Sequence, residues 1–116
     1  MKKWKPSPET LKKLFLETMG SVKGAEKRKM FGYDCAFVNG NMFTGLHEEN
    51  WVMRLPEDRR TEFVKTFKTK IFEPFPGRTM KEYVVVPENV KKDQKELKKW
   101  LQLSFEYVKS LPAKKK

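Results

Sequence analysis

The dipeptide Asn39-Gly40 stands between two apolar, aromatic-rich runs, Tyr33-Asp34-Cys35-Ala36-Phe37-Val38 and Met42-Phe43-Thr44-Gly45-Leu46-His47. Tight hairpin turns hold their central residues at positive φ, a conformation that Asn and Gly accept and bulky residues resist. The two runs are therefore predicted to be antiparallel neighbours. A second turn at Glu48-Glu49-Asn50 delivers Trp51-Val52-Met53-Arg54-Leu55, and residues 27–32 are placed to pair on the other side of the first run. Glu82-Tyr83-Val84-Val85-Val86, rich in β-branched residues, reads as a further strand buried on both faces. The result is an antiparallel β-meander of about four to five strands.

Outside the meander the hydrophobic period lengthens. Leu11, Leu14, Phe15, Thr18 and Val22 recur at helical spacing, with Ser7 as N-cap, Pro8 at the first helical position, and Gly20 and Gly24 at the far end. Pro56-Glu57-Asp58 opens a second helix, with acids where the helix dipole favours them and a stripe of Phe63, Val64 and Phe67. Residues 68–81, punctuated by Pro74, Pro76 and Gly77, read as loop. Pro87 stops the last strand, and after a cap at Asp93 a third helix runs to about Ser110. Its stripe is Leu97, Trp100, Leu101, Ser104, Tyr107, Val108 and Leu111. Three helices packed mainly on one face of an antiparallel sheet make an α+β fold. The 116 residues suit a single domain, with a core over about 8–111 and a basic tail over 112–116.

Charge is unevenly placed. Residues 1–30 carry nine Lys/Arg against three acids, for +6; residues 31–90 carry eight against nine, for −1; residues 91–116 carry nine against three, for +6. No apolar run is long enough to span a bilayer, and the basic N-terminus leads into no apolar signal region. With Cys35 as the lone cysteine, no internal disulfide can form, and a cytoplasmic location without membrane contact is expected.

Catalysis needs convergent groups, and few are on offer. Cys35 and His47 could nominally pair, but no third residue is spaced to orient them. A small buried thiol and a surface histidine are the expected readings. The acid pairs Glu48/Glu49 and Glu57/Asp58 read as a solvated turn and a helix N-terminus. The glycines fit no phosphate-loop spacing, and no Cys/His cluster matches a metal site. Neither catalytic residues, cofactor nor metal are expected.

Several spaced motifs carry a family resemblance: Arg28-Lys29-Met30-Phe31-Gly32, Phe37-Val38-Asn39-Gly40-Asn41-Met42-Phe43, Arg54-Leu55-Pro56, Phe72-Glu73-Pro74-Phe75-Pro76-Gly77-Arg78, Glu82-Tyr83-Val84-Val85-Val86-Pro87 and Trp100. With these in order over about residues 8–111, the chain resembles the N-terminal domain of the TfoX/Sxy family of bacterial competence regulators, and looks closest to its small stand-alone members. Members acting in competence resemble two-domain proteins with an additional helix-hairpin-helix domain. The resemblance therefore implies the fold and a regulatory character more than a competence role.

Two functional classes follow. The first is a non-enzymatic regulatory or protein-interaction module, whose protein partner would dock on the sheet face or on an aromatic patch involving Trp4, Phe31 or Phe75. The second is a weak, sequence-nonspecific nucleic-acid binder. Its candidate contacts are Lys12, Lys13, Lys27, Arg28, Lys29, Lys95, Lys98, Lys99 and Lys109, forming one positive surface if the terminal helices lie side by side. Lysines dominate the set, whereas arginine is the usual reader of bases, so backbone contact rather than sequence readout is expected.

Overall fold

A computed structural model describes residues 5–30, 32–73, 77 and 80–112. In chain order the elements are α1 (Glu9–Met19), β1 (Glu26–Met30), β2 (Tyr33–Val38), β3 (Asn41–His47), β4 (Asn50–Arg54), α2 (Glu57–Phe67), β5 (Tyr83–Val85), α3 (Glu88–Lys91) and α4 (Gln94–Lys109). The strands make one antiparallel sheet in sequence order, so the expected α+β meander is present with five strands. Asn39 and Gly40 sit at φ of 53° and 78°, the positive-φ pair that a two-residue hairpin demands.

Register partners in an antiparallel sheet share a face. Ala36, Thr44, Met53 and Val84 are partners across four strands. Three of them join one hydrophobic cluster with Leu11 and Phe15 of α1, Phe63 of α2, and Leu97, Leu101 and Val108 of α4. That face lies under the helices. Cys35, Gly45, Val52 and Val85 are partners on the opposite face.

The alternation has one break. Ala36 opposes Thr44 and Phe37 opposes Met42, so Phe43 has no partner in the register. An inserted residue of this kind re-aims side chains. Phe43 is fully buried in the helix-side cluster, edge-on to Phe105 at a centroid distance of 5.3 Å. Ser104 of α4 completes the junction: its hydroxyl donates to the carbonyl of Arg54 at 2.6 Å and lies 3.1 Å from that of Phe43. Trp51, fully buried, donates its indole N–H to Thr44 Oγ1 at 2.8 Å, and that hydroxyl donates to the carbonyl of Val52.

Several details depart from expectation. Ser7 does not cap α1; Pro8 occupies that position, and the Ser7 hydroxyl donates instead to the Glu48 carbonyl at 2.6 Å. The hydroxyl ties the N-terminal segment to the β3–β4 turn instead of accepting from a helix N–H. Among the described residues there are four helices where three are expected, because residues after Pro87 form the short α3, which buries Val90. In α4 the buried face includes Phe105, while Tyr107 and Leu111 are half-buried. Asp93 caps it as expected, accepting from the Glu96 N–H at 3.2 Å. Strand β5 is not buried on both faces: Val84 is enclosed, but Tyr83 and Val85 are half-buried. Within the expected loop over 68–81, Ile71 bridges to Val84, Val85 N–H donates to the Lys70 carbonyl and Phe72 N–H to that of Tyr83. The outer edge of β5 is thereby covered. Among the described residues, no helix is long and apolar enough to cross a membrane.

Candidate functional site

The two reactive side chains lie in the sheet rather than in an open site. Cys35 is buried, its S–H directed at the Tyr33 carbonyl at 3.7 Å, and burial pushes the thiol up to about 11. A Cβ placed on Gly45 would lie 2.9 Å from Cys35 Sγ, so the sulfur fills space that only a missing side chain leaves. His47 is not the expected surface histidine. Strand alternation turns it to the same face as Gly45, where it packs between the rings of Tyr33 and Phe72 at 5.3 Å from each. Burial there pulls the imidazole below its ordinary value, opposed by the charge of Glu48. Among the described residues, no three His, Cys, Asp or Glu side chains are gathered to hold a metal ion.

The acid pairs are structural. Glu48 holds the N-terminal segment through an oxygen that accepts from Lys5 N–H at 2.9 Å, and Glu57 and Asp58 fill the first turn of α2. The aromatic residues Trp4, Phe31 and Phe75 lie outside the described residues.

The sequence-selected cations fall into two groups. Lys12, Lys13, Lys27, Arg28 and Lys29 belong to α1 and β1, and all five residues of β1 are exposed. A cleft of about 480 Å³ between these elements brings Lys12, Lys13 and Lys29 together around Leu16, with Glu9 and Asp34 in its wall. Leu16 is 44% exposed, a large apolar side chain left open to solvent. Lys12 pairs with Glu9 at 2.7 Å; the pairing lowers the carboxyl and raises the amine. Strand alternation puts Lys27 on the cleft side with Lys29. Arg28 goes to the opposite face, its guanidinium 5.0 Å from the Phe37 ring centroid and bonded to Glu26 at 3.0 Å.

Lys95, Lys98, Lys99 and Lys109 form the second group, all exposed on α4. Lys99 and Lys109 lie over the rings of Trp100 and Phe105 at 5.7 and 6.0 Å, their stems covering aromatic surface. Helix α1 rests on β2, and α4 rests on β3 and β4 and also reaches β2. The β1 edge and its cleft were not picked out as a unit from the sequence. The available signal was the two-residue spacing of Lys27 and Lys29, legible only once residues 26–30 are known to be an edge strand.

A five-stranded antiparallel meander under one layer of helices, with a cationic outermost strand, defines the class of domain. Its sequence matches the model of the TfoX N-terminal domain over residues 17–108, most of the chain, and the protein belongs to that family. The match starts inside α1, later than the onset near residue 8 expected from the motifs. No curated protein matches the chain with significance.

Proposed function

We propose that this TfoX-like domain is a non-enzymatic regulatory module that acts by holding a protein partner. The observation that carries the reading is the contrast between its reactive groups and its surface. Cys35 is enclosed, with a thiol at about 11 that yields almost no thiolate near neutrality, and His47 is sandwiched between rings. The exposed features are instead a strand left without an outer partner among the described residues, an open leucine and converging lysines. These suit docking better than turnover.

Capture from native lysate, with and without nuclease, tests this. Partners retained after nuclease support the interaction reading; loss of every partner with nuclease overturns it. The second reading, nonspecific nucleic-acid binding, is favoured by the row of exposed lysines on α4. It predicts affinity for a generic duplex that falls steeply with salt, as released counterions require. No duplex binding even at low salt would remove it.

A further inference from the structure

The two edges of the sheet are finished differently. Beyond β5 the chain covers its own strand through Lys70, Ile71 and Phe72. Beyond β1, among the described residues, no strand pairs. Antiparallel pairing alternates, so every second residue of β1 turns its N–H and C=O away from β2. Such a row of backbone groups is a template for an added strand.

We propose that β1 accepts an extended, acidic segment of a partner protein, added as a sixth strand beside the α1 cleft. This deepens the interaction reading above and rests on it. Charge selects the occupant. Lys27, Arg28 and Lys29 occupy the centre of β1 against the single acid Glu26. A second copy paired antiparallel about Arg28 would set Arg28 against Arg28 and Lys27 against Lys29, like charges directly opposite. An acidic strand meets attraction at the same positions. Its side chains alternate, so one set projects toward the cleft, where Lys12, Lys13 and Lys29 outnumber Glu9 and Asp34 around Leu16. Carboxylates and one apolar residue on that set would meet the cations and the leucine. The other set lies beside Arg28 and the exposed Met30. Backbone hydrogen bonds supply the pairing, and the cleft supplies the preference for acid.

The test uses the full chain and a blocked peptide of alternating Glu and Val, titrated by amide NMR at low salt. The largest shifts should fall in β1 and along the cleft face of α1, with new exchange protection at outward-facing β1 amides. Lys27→Glu with Lys29→Glu should weaken binding by roughly tenfold or more while the spectrum elsewhere stays native. Replacing Glu by Lys in the peptide should abolish binding. N-methylating alternate peptide amides should also abolish it, a result that charge attraction alone would not give. Equal binding of the N-methylated peptide, shifts centred on α4, or indifference to the charge reversal would each overturn the proposal. So would displacement of the peptide from β1 by a generic DNA duplex at comparable concentration, which would assign the edge to nucleic acid. These failures concern the edge alone; the interaction reading stands or falls separately on nuclease-resistant capture.

Discussion

The two faces of the sheet are closed by different means. On one, α1, α2 and α4 lay apolar stripes over Ala36, Met53 and Val84, and Phe43 and Trp51 are wholly enclosed. On the other, individual side chains and the segment after α2 close the surface: Phe72 covers His47, His47 meets Tyr33, and Cys35 fills the gap above Gly45. The first is an interior held by regular elements that cannot move independently of the fold. The second depends on local fits, so it is more sensitive to small changes of shape and charge.

Truncation should expose the difference most strongly. Phe43→Ala removes a ring set by the bulge between α4 and the sheet, and is expected to cost about 3–5 kcal/mol in urea unfolding. Phe72→Ala should cost clearly less, because a connecting segment can settle onto the gap where a helix cannot. Equal losses would mean that the second face is as rigid as the first.

Adding volume probes the second face from the other direction. The new methyl of Gly45→Ala would lie 2.9 Å from Cys35 Sγ and 3.4 Å from Met42 Sδ, an overpacking expected to cost roughly 1–3 kcal/mol. Cys35→Ala removes the closest atom, so the double variant should recover much of that loss. A double-mutant cycle measures the coupling, and simple additivity would show that the strain lies elsewhere. A smaller effect is expected on the helix side from Ser104→Ala, which leaves the Arg54 carbonyl without its 2.6 Å donor, at about 1–2 kcal/mol. Hydrogen exchange should rise where α4 crosses β4 if the hydroxyl holds the two together.

Much of the helix-covered face was legible in the sequence, because an amphipathic stripe states both its period and its buried side. Leu97, Trp100, Leu101 and Val108 lie where helical spacing put them, and the Asn39-Gly40 turn fixed the hairpin of β2 and β3. The bulge was not legible: Met42-Phe43-Thr44 reads equally well as unbroken alternation, and Phe43 is re-aimed by a register slip that becomes visible only with its partner strand. His47 was misplaced for a related reason. Its polarity and the acidic turn beside it pointed outward, whereas its burial depends on Phe72, a residue in a segment without periodicity. The candidate site was legible as charge but not as shape. Lys12 and Lys29 were each selected, yet their meeting in one cleft depends on how α1 crosses β1 and β2.

That buried imidazole gives the smallest and most specific contrast between the faces. Burial holds His47 below the ordinary value of 6.5, with Glu48 pulling the other way. The unfolded chain therefore binds the proton more readily than the folded one, and stability must rise with pH wherever the two states differ in protonation. The contribution is fully present above about 6.5 and is lost as pH falls through the depressed folded value. Urea midpoints taken from pH 7 downward should show this slope before carboxylates begin to titrate, and His47→Gln should flatten it. The helix-covered face supplies no comparable titrating group among the described residues with a resolved shift, so Phe43→Ala should lower the whole curve without changing its shape. An unchanged slope in His47→Gln would mean that the imidazole titrates alike in both states, and that the second face shields it less than its packing between Tyr33 and Phe72 implies.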